Sequence, residues 1–76
     1  MPNLLALRIE ETIRPVVGVV LASITVDLEA KRIGKTSDSI TREDLSQMAA
    51  NLGAQLKLVV GEELARAAAA RVRRLI

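Results

Sequence analysis

The sequence predicts an all-α protein: a small helical bundle of three to five helices, completed by homodimerisation. Three observations carry that expectation. Apolar residues recur at three- and four-residue spacing through most of the chain. Helix start and stop residues stand where that periodicity begins and ends. Finally, the run from Val16 to Ala22 has no polar side chain, and an element that is apolar all round is normally buried on all sides. A chain of 76 residues has little else with which to cover it, so a second copy is expected to do so.

Residues 3–14 read as the first helix, with Asn3 as N-cap and Leu5, Ile9 and Ile13 in one stripe. No Glu or Gln stands at the third helical position, so the capping box is incomplete. Pro15 then disfavours helical geometry at Arg14 and lacks a donor, so the chain is expected to kink or restart there. The central helix is expected over Pro15–Ile33. Strict alternation in residues 23–29 and the β-branched density of Val16, Val17, Val19, Val20, Ile24 and Val26 favour a strand. Against it, the stripe Ile13, Val16, Val17, Val20, Ile24, Leu28 is continuous. A strand would also need a partner, and the one candidate, residues 56–60, lies inside another helical stripe. Lys31 and Arg32 followed by Gly34 make a good helix end.

Residues 35–40 form a polar connection. Thr41 with Asp44, and Ile40 with Leu45, give a capping signature and a hydrophobic staple. Leu45, Met48, Ala49, Leu52, Leu56, Val59 and Val60 continue as a stripe to Gly61. Asn51-Leu52-Gly53 is a stop that would divide this stripe in two, and Gly61 is a further joint. The last helix, from Glu62, has acids first and Arg last, matching its dipole.

Residues 1–76 are read as one helical domain. A chain this short buries only about 60% of its unfolded surface. With no Cys and no His, neither disulfides nor His or Cys metal ligands add to it, which leaves packed helices or oligomerisation. No residue is aromatic, so the core is built of Leu, Ile, Val, Ala and Met. The absence of Cys is compatible with the cytosol, and a cytoplasmic location is expected. The apolar run ends at Asp27, short of the roughly 20 residues a membrane span needs. Glu10 and Glu11 stand where a signal peptide would carry positive charge.

No motif carries catalysis. Gly34-Lys35-Thr36 resembles the end of a phosphate-binding loop, but position 29, where the earlier Gly belongs, is Glu. The plain reading is that Gly34 caps a helix. Of the acid pairs, Glu43-Asp44 and Glu62-Glu63 sit at helix starts, where dipole compensation accounts for them. Glu10-Glu11 is read as a solvated face. Without His, Cys or Tyr the usual bases, nucleophiles and ligands are missing. No enzyme activity, cofactor or metal site is expected.

Two surfaces remain. Gly18 and Ala22 are four apart and, on a continuous helix, face away from Val16, Val20 and Ile24; small residues at that spacing let helices approach closely. The face built on Gly18, Val19, Ala22 and Val26, with Val16 beside it, is therefore expected to meet a second copy, while the opposite face packs on residues 45–60. Charge is uneven: Arg8 and Arg14 oppose four acids in residues 1–30, whereas nine of the eleven cations lie beyond. Arg66, Arg71, Arg73 and Arg74, with Lys57, are candidate nucleic-acid contacts. Arg66, Arg71 and Arg74 are read as sharing a side, with Arg73 elsewhere. No aromatic residue is present to stack on bases. The expected function is a non-catalytic protein-interaction or regulatory module acting as a homodimer, or with a different protein as partner; the alternative is a small nucleic-acid-binding protein. No membrane association is expected.

Overall fold

A computed structural model describes residues 3–75. Among them are four α-helices, α1 (Leu4–Val17), α2 (Val19–Arg32), α3 (Leu45–Val60) and α4 (Glu62–Arg73). A short 3₁₀ turn at Arg42–Asp44 leads into α3, and no strand occurs among the described residues. The all-α expectation holds.

Asn3 caps α1 as its residue type suggests. Its Oδ1 accepts the Ala6 N–H at 2.8 Å, satisfying one of the orphan donors of the first turn. Its Nδ2 also donates to the Ile40 carbonyl at 2.8 Å, and its backbone N–H to the Ser37 carbonyl at 2.9 Å. One side chain thus starts a helix and ties down the 33–41 connection.

Pro15 does not break the helix. It sits two residues before the end of α1 and is exposed. The carbonyl it leaves without a donor belongs to exposed Glu11, where solvent can replace the bond. The break falls at Gly18, with φ 88° and ψ 167°, a region open essentially to glycine alone. The Gly18 N–H closes α1 on the Arg14 carbonyl at 2.7 Å, and α2 begins at the next residue. Gly61 (φ 92°, ψ 169°) repeats the arrangement between α3 and α4. Two helical hairpins result, each joined by one glycine after a Val-Val pair.

Gly53, by contrast, stays inside α3. Its missing side chain admits α4: a Cβ there would lie 3.3 Å from the Ala69 Cβ. Close helix packing, rather than a stop, accounts for this glycine.

α2 ends as expected. The Gly34 N–H reaches the Lys31 carbonyl at 3.0 Å and the Lys35 N–H the Ala30 carbonyl at 2.9 Å, with Gly34 at φ +77°. This is the paired closure of a Schellman motif. At the next start, Asp44 Oδ2 accepts from the Thr41 N–H at 2.8 Å and the Lys35 ammonium at 2.7 Å. The Lys35 ammonium, then the Thr41 amide, hold this carboxyl below the usual aspartate range. Ile40 and Leu45, the expected staple, are both buried.

The helices pack in ring order, α1 on α2, α2 on α3, α3 on α4 and α4 on α1. Ile9, Ile13, Met48, Leu52, Leu56 and Val72 fill the centre, and alanines of α2, α3 and α4 let the backbones close around them. Glu10, read from sequence as solvated, is buried, while Glu11 is exposed.

Candidate interaction surface

Gly18 decides which side of α2 faces inward. Extrapolating the stripe of α1 through residue 18 assumes one uninterrupted helical phase, and the Gly18 conformation ends that phase. Behind the break, Ala22, Val26, Glu29 and Ala30 point into the core. Val20, Leu21, Ile24 and Leu28 are left outside, with Val20 70% and Ile24 53% exposed.

This reverses the expected faces of the central helix. Of the residues read as an intermolecular surface, Ala22 and Val26 are core residues of their own chain, and Val16 packs partly against that core. Gly18 is the joint, and Val19 is exposed beside it. Ala22 and Ala30 are small because α2 lies close on its own bundle.

The outward face of α2 borders a pocket of about 110 Å³ between α2 and α3. Its apolar walls are Val17, Leu21, Ile24, Leu28, Leu56 and Val59, and Thr25, Gln55 and Glu29 complete the lining. The aliphatic residues left exposed on these walls, with Val20 beside them, make one continuous row across α2 and the end of α3. Scattered exposed leucines such as Leu4 and Leu64 are ordinary for a small protein, whereas a contiguous patch marks an interaction site.

Glu29 is the unexpected member. It is 0% exposed, and neither carboxylate oxygen receives a hydrogen bond. Arg32 Nε lies 3.3 Å from Oε2, inside ion-pair range but without hydrogen-bond geometry. The Arg32 side chain is 54% exposed, so solvent screens that attraction. With no donor aligned on either sealed oxygen, Glu29 is unsatisfied. Burial of a polar group in this condition costs stability. Glu29 falls at i+7 from Ala22 on the inward stripe of α2, so its position follows once the Gly18 joint has set which face is inward.

The basic residues divide differently from the helical-wheel reading. Arg66 and Arg73, seven residues apart, lie together with Lys57 along a second groove of about 350 Å³ between α3 and α4. Seven residues are nearly two full turns, which returns Arg73 to the Arg66 side; this corrects the grouping of Arg66 with Arg71 and Arg74. Arg71 and Arg74 are exposed and do not line that groove. Glu62 takes Arg66 at 2.6 Å and Lys57 at 3.8 Å, so the groove carries an acid among its three cations.

Among the described residues no group of three His, Cys, Asp or Glu side chains is placed to hold a metal, and no helix is long and apolar enough to cross a membrane. No protein-family model, no curated protein and no solved structure matches the chain.

Proposed function

We propose that the protein is a non-catalytic interaction module that works as a helical homodimer, joined through the outward face of α2 and the adjoining end of α3. The supporting observation is the contiguous exposed row of Val20, Leu21, Ile24, Leu28 and Val59. A cytoplasmic setting is part of the proposal and rests on the cysteine-free composition.

Magnitudes set the assay. Covering five roughly half-exposed aliphatic side chains on each copy contributes on the order of 10 kcal/mol in total. Lost rotational and translational freedom costs roughly 4–15 kcal/mol. At the low end of that cost about 6 kcal/mol remains, a dimer with Kd of tens of micromolar, so sedimentation equilibrium should span about 10 μM to 1 mM. Dimerisation that is removed by Ile24→Asp, with helicity retained, supports the proposal. A parent chain that stays monomeric across that range refutes it.

A second reading is favoured by the clustering of Lys57, Arg66 and Arg73 along the α3–α4 groove: contact with a nucleic-acid backbone. Binding would then fall steeply with salt through counterion release. Titration of a duplex at low and high salt decides it; no binding at low salt removes it.

A further inference from the structure

We propose that the pocket between α2 and α3 is a binding site for a small primary alkylammonium ion of about four carbons, its tail among the aliphatic walls and its charge on Glu29. The site lies within one copy and does not depend on the homodimer proposed above.

The two hairpins show that packing alone does not call for an acid at position 29. Counted from the glycine joints, three buried positions of α2 and α4 run in step: Ala22 and Ala65 are fourth, Val26 and Ala69 eighth, Glu29 and Val72 eleventh. Both eleventh residues are 0% exposed. In α4 an aliphatic side chain fills the place. In α2 the same place holds a carboxylate whose two oxygens receive no hydrogen bond, and Arg32 Nε, at 3.3 Å, is not aligned to donate one. Glu29 also lines the pocket, so the unmet acceptor stands where a ligand can bring a donor.

Size and chemistry select the ligand. A cavity of about 150 Å³ holds benzene, so a space of about 110 Å³ takes about five heavy atoms. n-Butylammonium has that size. Its chain meets Leu21, Ile24, Leu28 and Val59, and its head carries three N–H donors. Three side chains with acceptor oxygens line the same space: Glu29, Thr25 one turn earlier on α2, and Gln55 from α3. Both Glu29 oxygens are covered by neighbouring atoms, so binding includes a turn of this side chain up into the space it lines. A hydrogen bond between charged groups is stronger than one between neutral groups, which favours the ammonium over an alcohol of equal length. A lysine side chain offers the same chemistry. Within a polypeptide, however, it brings peptide groups against an aliphatic rim that has no polar partner for them. The free amine is the better fit.

Thermal unfolding followed by circular dichroism at about 2 μM protein reads the site through ligand linkage, with self-association kept low. For a Kd of about 1 mM, n-butylammonium chloride at about 20 mM should raise the parent Tm by several degrees. Ammonium chloride, sodium chloride and butan-1-ol at the same concentration should each move it by less than about 1 °C. In Glu29→Gln, measured against that variant's own Tm, the butylammonium shift should disappear. Methyl NMR of the parent should place the ligand at Leu21, Ile24, Leu28 and Val59. No shift in the parent, or one no larger than that of butan-1-ol, overturns the proposal. So does a shift kept in Glu29→Gln, or methyl changes confined to another surface. The alcohol comparison and the methyl map need no variant to fold. Nα-acetyl-lysine amide should bind more weakly than butylammonium; if it raises Tm further, the site belongs to a lysine of a polypeptide and the free-amine assignment falls.

Discussion

Replacing Glu29 by methionine should make the isolated fold more stable. The side chain is fully buried and both its oxygens lack a donor, which costs about 1–3 kcal/mol relative to a satisfied or apolar group. Methionine has similar length and a flexible thioether stem, so it fills the same space without forcing its neighbours apart. What is lost is the Arg32 contact, at 3.3 Å but half exposed, worth about 0–1 kcal/mol. The net expectation is a gain of about 1–2 kcal/mol. For a domain of this size each kcal/mol moves Tm by about 4–8 °C. Thermal and urea unfolding followed by circular dichroism at about 2 μM protein keeps self-association out of the comparison. A Glu29→Met variant that melts at or below the parent would mean that Glu29 is satisfied within one chain.

The glycines should separate cleanly. Gly18→Ala should lose about 1–3 kcal/mol in urea unfolding, because no alanine sits comfortably at φ 88° and ψ 167°. Gly53→Ala gains about 1 kcal/mol in helix propensity but places its Cβ 3.3 Å from that of Ala69, so its midpoint should stay within about 1 kcal/mol of the parent. Asn3→Ala removes both the α1 cap and the tie to the Ile40 carbonyl and should cost about 1–2 kcal/mol by the same assay. Acid should destabilise the fold through Asp44. Its folded value lies below the ordinary 3.8, so its contribution is complete above that pH and fades as pH falls through the depressed value. Urea midpoints measured downward from pH 5 should fall for the parent and fall less for Asp44→Asn.

Where one residue type has one local use, the sequence was readable. Asn3, the Thr41–Asp44 pair, Gly34 and Gly61 each do the work their chemistry suggests, because caps and joints are decided within a turn of chain. Pro15 and Gly18 compete for one break three residues apart. Proline near a helix C-terminus costs little when the stranded carbonyl faces water, so the glycine won. That small displacement carried the larger error, since a periodicity argument holds only while the helical phase is unbroken. Beyond Gly18 it turned Ala22 and Val26 outward and Val20, Ile24 and Leu28 inward, the reverse of what is found. The spacing of Ala22, Val26 and Ala30 by fours held the correct answer, since small residues in register also describe close packing within one chain. Glu29 shares that stripe, seven residues after Ala22, but its charge argued against burial; Gly53 had no such sign, since its role depends on Ala69 sixteen positions away. The pairing of Arg66 with Arg73 follows from helix geometry alone and needed only a more careful wheel.

The single-residue joints at Gly18 and Gly61 bear on selectivity. A hairpin with no loop has no slack: α2 cannot rotate or slide relative to α1 without disturbing the glycine between them. The aliphatic row of α2 is therefore held at a fixed attitude before anything meets it. Little ordering entropy is spent when it is covered, which matters when the attraction available is modest. The same stiffness works against a poorly matched surface, because the row cannot bend to follow one. Mismatched partners are rejected by shape, without any added repulsive group.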